Sequence, residues 1–397
     1  MEQVIEAQLR EKEICSEVEA EFEVITLHNE EVMATRALYE EVFPQYTKKF
    51  FDYYYENKAS DNTVFAVKQE ELLAMLQLTP YSAAIRRNPP LPGANRLPCM
   101  ADVVRVDTFL MTGIATKEVY RGRGYMKRVM DSALSYQYKM KTPFTFVVSE
   151  DTELFQKFGF HAIYDKEEHE LNKDLISEQL LYRAMEGETV SLNPSNITLS
   201  VVDKSELLTL AHFVNACLCR QYGLFVIRSA VYYELLQKEM ISQGGNIFVM
   251  KENQKLIGYF TWAKQDVAYI QEAVFEEERN IDRYFYTAKE KKPVTMARIV
   301  NLKEMLKHVS SNGKVIIAIR IKDPVIAEND GLFNWYLDEK GSTIERMEEP
   351  ENSAYRPEVT ATIGELTAFL FGYKKLKQGL KFDSIYLSGP AWMNEKQ

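Results

Sequence analysis

A short loop rich in arginine and glycine holds the residues of this sequence whose types and spacing best fit a chemical role. It reads Arg121-Gly122-Arg123-Gly124, directly after a β-rich run and directly before a helical pattern. Glycine lets a backbone approach a bound group closely, and the N–H groups at a helix start carry the positive end of the helix dipole. Arginine adds charge-assisted donors. The pattern predicts a site for an anion such as a pyrophosphate.

Other reactive side chains give little support for metal or nucleophile chemistry. The five histidines form no close pair, and Cys217 and Cys219 lack a second pair at zinc spacing. Four cysteines in 397 residues do not make a disulfide framework. We therefore expect no metal site and a reducing compartment.

Composition excludes several classes of protein. The net charge of −10 argues against a broad nucleic-acid surface, which needs clustered lysine and arginine. The charged first residues do not resemble a signal peptide, and no apolar run approaches the roughly 20 residues of a membrane span. These features predict a cytoplasmic protein that binds neither nucleic acid nor a membrane interior.

The elements around the loop predict an α/β unit that is complete by about residue 165. The alternation of apolar and polar residues gives the order β-α-β-β-β-α-β-α-β. The loop follows the fourth strand, predicted at Val103–Thr116, with a bulge or close backbone approach at Gly113. Two further strands in this unit are predicted at residues 63–67 and 72–78, before a proline-rich loop over residues 82–98.

Two more units follow. Residues 197–290 repeat the opening of the first unit, a strand, two helices and further strands, but carry no arginine- or glycine-rich turn. Residues 291–397 are α+β by their element order. Residues 1–20 read as an acidic extension, residues 21–165 as the first unit, and residues 166–196 as a helix and linker.

The first unit resembles the GNAT (Gcn5-related N-acetyltransferase) superfamily. The superfamily's phosphate loop, Gln/Arg-x-x-Gly-x-Gly/Ala, is matched by Arg121 and Gly124, and Leu154–Phe160 closes the pattern at a suitable separation. Met126 stands at the loop's last small position, where the Eis (enhanced intracellular survival) family has large aliphatic residues. The Eis family also has a degenerate second GNAT domain and a third domain like a sterol carrier protein, to whose opening Met296–Leu302 is similar. The resemblance implies two tandem GNAT-like domains followed by a sterol carrier protein-like domain.

The resemblance also implies how acetyl-CoA binds as co-substrate. The backbone of Ile114, Ala115 and Thr116 would pair with the pantetheine arm. Residues Gly122 to Lys127 would hold the pyrophosphate, and Ser149 and Glu150 would lie beside the arm. The implied cofactor-binding set, beyond Arg121, is therefore Ile114, Ala115, Thr116, Gly122, Arg123, Gly124, Tyr125, Met126, Lys127, Ser149 and Glu150.

The residues expected to catalyse the reaction leave two possible functions open. In the Eis family the base is the C-terminal carboxylate, which here belongs to Gln397, a polar residue where the family usually ends in an aromatic one. The family's tyrosine proton donor falls on Phe155, which has no proton to donate. One reading is an enzyme that acetylates a primary amine of a cationic small molecule, aminoglycoside- or polyamine-like, or a protein lysine. The other is a non-catalytic CoA- or lipid-binding protein.

Two further expectations concern the acceptor and the assembly. From their positions, the loop over residues 82–98 and the aromatic helix Phe50–Tyr55 are predicted to line the acceptor pocket. The family resemblance implies a homo-oligomer.

Overall fold

The computed structural model describes residues 23–87, 97–192, 196–277, 279–288, 291–348, 356–376, 385–386 and 390–395. The acidic extension at residues 1–20 lies outside these ranges. Among the helices that the model describes, none has the length and apolar character needed to span a membrane.

The first unit has the predicted element order. Its elements are β1 (Val24–Leu27), α1 (Arg36–Val42, after a 3-10 turn at Asn29–Thr35), α2 (Lys48–Asn57), β2 (Thr63–Lys68), β3 (Leu72–Arg86), β4 (Val103–Thr116), α3 (Tyr125–Lys139), β5 (Phe144–Val148), α4 (Thr152–Gln156) and β6 (His161–Lys166). The strands β1 to β4 are antiparallel neighbours, whereas β4 and β5 run parallel. Parallel neighbours require a crossover connection, which α3 supplies.

A segment between the first and second units follows β6. It comprises β7 (His169–Leu171), α5 (Glu178–Met185) and β8 (Val190–Ser191). The sequence predicted a helix and linker over residues 166–196, and the structure adds two short strands there, with Leu171 in the first and the helix starting only at Glu178. Leu171 and Leu181 are both buried in one apolar cluster with the second unit, so packing rather than helical periodicity sets these bounds.

The second unit repeats the first half of the first. It consists of β9 (Ile197–Val201), α6 (Leu207–Gln221), β10 (Leu224–Val226), α7 (Ala230–Ser242), β11 (Asn246–Glu252), β12 (Lys255–Lys264), β13 (Ala268–Tyr269), β14 (Ala273–Phe275), α8 (Arg279–Tyr284) and β15 (Phe285–Thr287). The pairings β9–β11, β11–β12 and β12–β14 are antiparallel and match β1–β2, β2–β3 and β3–β4.

The third unit contains a four-stranded sheet with helices packed against it. The remaining elements are β16 (Lys292–Ile299), α9 (Leu302–Leu306), β17 (Ser310–Ser311), β18 (Val315–Lys322), β19 (Gly331–Asp338), β20 (Gly341–Arg346), β21 (Val359–Thr362), α10 (Ile363–Leu370), β22 (Ile385–Tyr386) and β23 (Ala391–Trp392). The sheet order is β20-β19-β18-β21. Inward-facing side chains such as Ile319 and Trp335 are fully buried and continue the core of the first unit.

Strand β16 lies in the first sheet, although the sequence grouped it with the third unit. It pairs antiparallel with β5 on one side and with β6 on the other. Thr295 to Ile299 are buried, as expected for a strand with neighbours on both edges and packing on both faces. The buried Arg298 donates to the carbonyl of Phe158 at 2.5 Å and to Asp323 at 2.6 Å, so this strand joins the first and third units.

Strand β3 continues to Arg86, well beyond the predicted end at residue 78. Its first half pairs with β2, and its last residues pair with β10 of the second unit. The proline-rich loop predicted from Ser82 therefore begins later, and residues 88–96 lie outside the described ranges. A strand from a distant part of the chain supplies the pairing, so local composition did not indicate this extension.

Candidate active site

The strands β4 and β5 separate beside the predicted cofactor-binding residues. They pair only at Phe109–Met111 with Thr145–Val147. Beyond Met111, β4 continues through Ile114, Ala115 and Thr116, and on this side the described residues provide no strand partner. An unpaired strand edge presents backbone donors and acceptors to an extended ligand.

A β-bulge lies at the start of this separation, as the sequence predicted. Gly113 and Ile114 together face a single residue of β3, because Met75 pairs with Ala115 and Gln77 with Thr112. Gly113 has φ +53°, and a Cβ there would lie 3.0 Å from the Gln77 side-chain nitrogen. The bulge bends β4 and redirects its backbone groups.

The arginine- and glycine-rich loop forms the start of helix α3. Gly122 and Gly124 have φ of +77° and +81°, a conformation that glycine adopts without strain. Gly124 is the N-cap residue and supplies no side-chain cap, and the first described helical bond runs from Arg128 N–H to its carbonyl at 3.2 Å. Since the first turn of a helix has N–H groups without intrahelical partners, this exposed loop suits a phosphate.

Positive side chains flank the loop. The Nε of Arg121 donates to the Thr116 carbonyl at 3.2 Å, and the Arg123 guanidinium lies 5.3 Å from the centre of the Tyr120 ring. Both arginines are exposed, and neither has an ion pair with a carboxylate in the described part of the chain. Lys127 on the first turn is exposed and pairs with Asp131 at 2.6 Å.

The two remaining predicted residues at the helix start, Tyr125 and Met126, have side chains that pack against the core. Tyr125 is 4% exposed and packs in the core beneath the loop, whereas Met126 is partly buried against the same core. Their side chains therefore anchor the helix start rather than face solvent. Any contact of these two residues with a pyrophosphate would come from the backbone.

Ser149 and Glu150 follow the end of β5, across the gap from β4. Ser149 N–H donates to the Val294 carbonyl at 2.8 Å, and its Oγ accepts from Asp151 N–H at 3.1 Å. Glu150 is exposed. Both residues therefore follow directly on the end of β5, on the side where it no longer pairs with β4.

Phe155 is part of the hydrophobic core. Its side chain is 4% exposed, and its ring centre lies 5.9 Å from that of Phe160 in an edge-on contact. A phenyl ring offers no proton. At this position the chain provides packing only.

A cavity of about 250 Å³ opens next to the separation of the strands. Strand β2 pairs with β3 up to Leu78, and β10 pairs with β3 from Ala83 onwards. The intervening residues, Thr79 to Tyr81, have an open edge and line the cavity together with Ser82, whose carbonyl accepts from Ile227 N–H at 2.8 Å. Pro80 fits there because it has no N–H that an open edge would leave unpaired. Thr79 pairs with Leu110, which lies one residue before Met111, the last residue of β4 that pairs with β5, so the cavity borders the level at which the two strands begin to separate.

The walls of this cavity come from both GNAT-like units. Lys58 and Asp61 follow helix α2, while Tyr232, Leu235, Leu236 and Glu239 belong to α7 of the second unit. The prediction that Phe50–Tyr55 lines the pocket is wrong. The aromatic residues of that helix are 1–5% exposed in a separate cluster of stacked and edge-on rings, because one ring fills the gap beside the next.

The chain's tail also reaches this cavity. Strand β23 pairs with β10, Thr295 Oγ1 donates to the Met393 carbonyl at 2.7 Å, and Asn394 Nδ2 donates to the Gln271 carbonyl at 2.9 Å. Glu395 lines the cavity. Gln397, the predicted base, lies outside the described residues, two positions beyond Glu395.

A buried ionic cluster holds Glu395. Arg228 donates to Glu395 at 2.5 Å and to Glu272 at 3.0 Å, and its guanidinium lies over the rings of Tyr232 and Trp392 at 4.2 and 5.1 Å. Tyr232 donates to the second oxygen of Glu395 at 3.0 Å. Burial raises the pKa of Glu272 to about 7, although Arg228 acts in the opposite direction.

A second ion pair crosses the cavity wall between the two units. Lys58 Nζ lies 2.6 Å from Glu239 Oε2, and the Glu239 side chain is only 3% exposed. Burial alone lowers the pKa of Lys58, but the Glu239 carboxylate raises it well above its ordinary value. No motif in the sequence indicated Lys58, Arg228 or Glu239, because each depends on pairing between units.

Two family models match separate parts of the chain. An acetyltransferase (GNAT) domain matches residues 99–163, which include β4, the loop and β5. A sterol carrier protein domain matches residues 302–388. No curated protein sequence matches the chain.

Solved structures share the fold at low sequence identity. A probable N-acyltransferase from Enterococcus faecalis V583 aligns at 16% identity with a TM-score of 0.66, over 89% of this chain and 91% of its own. A GCN5-related N-acetyltransferase from Anabaena variabilis aligns at 12% identity and 0.64, over 94% and 99%. Eis1 from Mycobacterium abscessus aligns at 11% identity and 0.62, over 93% and 94%. The chain thus carries a GNAT acetyltransferase domain and a C-terminal sterol carrier protein domain.

Proposed function

We propose that this protein is an Eis-like, acetyl-CoA-dependent N-acetyltransferase. It transfers an acetyl group directly to a primary amine of a cationic small molecule, aminoglycoside- or polyamine-like, or of a protein lysine. The observation that carries the proposal is the separation of β4 from β5 beside the loop Arg121–Gly124. The full-length likeness to Eis1 and the order of the three units support the Eis-like assignment.

Acetyl-CoA binds along the separated strands in this proposal. The backbone of Ile114 to Thr116 pairs with the pantetheine arm, and the N–H groups of Gly122 to Lys127 meet the pyrophosphate. Arg121 and Arg123 add positive charge at the same end. Ser149 and Glu150 border the arm from the β5 side.

The acceptor amine enters from the cavity along the open edge of β3. The neutral nitrogen attacks the thioester carbonyl, a C–N bond forms, and the C–S bond breaks. The amine proton passes to a base, for which we propose the α-carboxylate of Gln397. Because Phe155 has no proton to give, the departing thiolate takes its proton from water.

The alternative function is a CoA- or lipid-binding protein without turnover. The buried phenyl ring of Phe155 favours it, since the family's proton donor has no replacement at that position. Its lipid-binding form is less favoured, because the inward-facing side chains Ile317, Ile319 and Ile321 of β18 already fill the space against the first unit.

Release of CoA thiol from acetyl-CoA, measured over a panel of amines with mass detection of the products, distinguishes these functions. Turnover on at least one amine supports the enzyme, whereas saturable CoA binding without turnover supports the alternative. A variant lacking residues 396–397 tests the base: we expect acetyl transfer to be lost while the Kd for acetyl-CoA is unchanged. Full activity of that variant would remove Gln397 from the mechanism.

A further inference from the structure

The charges around the cavity are already paired within the protein. Lys58 is bound to Glu239, and Glu395 is bound to Arg228. The other two charged residues of the lining, Arg105 and Asp61, are exposed to solvent. The interior of the cavity therefore offers no group of free carboxylates for a ligand with several positive charges.

The rest of the interior surface is largely apolar and aromatic. Pro80, Tyr81, Ile227, Tyr232 and Leu235 account for much of it. The cavity of about 250 Å³ is also at the small end for a ligand site, where volumes of about 300–1,000 Å³ are usual. Each additional ammonium group buried here would lose its hydration without gaining a counter-ion.

One carboxylate in the wall retains a free acceptor. Glu239 Oε2 accepts from Lys58, but Glu239 Oε1 has no hydrogen-bond partner in the described part of the chain. A buried acceptor without a donor is unfavourable, and an N–H donor from a ligand would recover that loss.

We propose that the acceptor is a small monoamine with an apolar or aromatic body, whose single amino group is bound by Glu239. This inference rests on the proposed acetyl transfer to a primary amine, and it replaces the aminoglycoside-like, polyamine-like and protein-lysine acceptors with a smaller, less charged class. The apolar body packs between the side chains of Tyr81 and Tyr232, and Lys58 keeps the Glu239 carboxylate in place. Glu239 lines the cavity but its Oε1 is buried, so binding requires the carboxylate to turn toward the ligand.

Acetylation of a matched panel tests the proposal: 2-phenylethylamine, putrescine, kanamycin and a peptide with a single lysine. We expect kcat/KM for 2-phenylethylamine to exceed that for each of the others by at least about tenfold, which corresponds to about 1.4 kcal/mol. A higher kcat/KM for a polycation or for the peptide would overturn the proposal.

Variants then assign the effect to Glu239. Glu239→Gln should raise KM for 2-phenylethylamine about tenfold or more and leave the Kd for acetyl-CoA unchanged. Glu234→Gln, on an exposed part of the same helix, is the matched control and should change KM less than about twofold. An unchanged KM in Glu239→Gln would overturn the proposal.

Two measurements keep the test decisive if a protein variant or the enzyme itself fails. In the double variant Lys58→Gln with Glu239→Gln, a neutral amide pair replaces the buried ion pair. If Glu239 serves only to pair with Lys58, KM should recover in this variant. Our proposal predicts no recovery. If no amine is acetylated, the proposed function fails. Calorimetric titration with 2-phenylethylamine then decides separately whether the monoamine site exists. Binding that Glu239→Gln abolishes would support the monoamine site, and no binding to the unchanged protein would overturn it.

Discussion

Arg228 of the second unit and Glu395 of the chain's tail form an ion pair of 2.5 Å in which the side chains are 0% and 2% exposed. The partners are 167 positions apart in the chain. Through this pair the second unit, which has no phosphate loop of its own, holds the tail against the cavity. The duplicated unit therefore has a structural role in assembling the candidate site.

Breaking this pair should destabilise the protein strongly. In Arg228→Met the carboxylates of Glu272 and Glu395 remain buried without their counter-ion, and we expect a loss of about 3–5 kcal/mol. Urea denaturation followed by circular dichroism measures it. Lys204→Met, which removes an exposed pair of 3.4 Å with Glu234, is the control and should cost less than about 1 kcal/mol. Equal midpoints for the two variants would contradict the role of the buried pair.

Glu272 should make stability depend on pH in an unusual direction. Its pKa is raised from 4.5 to about 7 in the folded protein, so the folded state binds this proton more tightly than the unfolded state. The contribution of this proton to the free energy of unfolding is fully present below pH about 4.5. It is lost as the pH rises through about 7, and its upper limit is near 3 kcal/mol. Melting temperatures of the parent protein and of Glu272→Gln, compared from pH 5 to 8, test this. The difference between them must shift in favour of the variant as the pH rises; a constant difference would contradict the raised pKa.

The exposed arginines of the loop should contribute to affinity for acetyl-CoA. We expect Arg121→Ala and Arg123→Ala each to weaken binding by about tenfold, because each removes one charge-assisted donor near the pyrophosphate. Isothermal titration calorimetry provides the Kd. Lys139→Ala, at the far end of the same helix, serves as the control. Unchanged affinity in both loop variants would count against the phosphate site.

A hydroxyl at position 155 should reveal whether protonation of the thiolate limits turnover. Phe155→Tyr places a donor where the Eis family has one, at a cost of about 1–3 kcal/mol if the buried hydroxyl finds no partner. If protonation is limiting, kcat rises and its pH profile gains a limb that falls at high pH as the tyrosine ionises. Phe160→Tyr, beside it in the same core, controls for the added atom. An unchanged kcat and pH profile in Phe155→Tyr would show that water suffices as the donor.

The local parts of the proposed phosphate site were predictable from the sequence. Strand β4, the two glycines and the start of helix α3 lie next to one another in the chain. Their conformations depend on short-range effects, namely alternating polarity, the positive φ of Gly122 and Gly124, and the helix start. The bulge at Gly113 was predictable for the same reason. The family resemblance placed the proton-donor position at Phe155, and the side chain is buried in the core.

The tertiary structure alone decided how the cavity of the candidate site is built. The insertion of β16 between β5 and β6, the extension of β3 by β10, and the pairing of β23 with β10 join strands that are distant in the chain. The sequence pattern of a strand does not identify which distant strand it pairs with. The ion pairs Lys58–Glu239 and Arg228–Glu395 have the same origin, because a charged residue in a sequence is expected at the surface until folding brings its partner beside it.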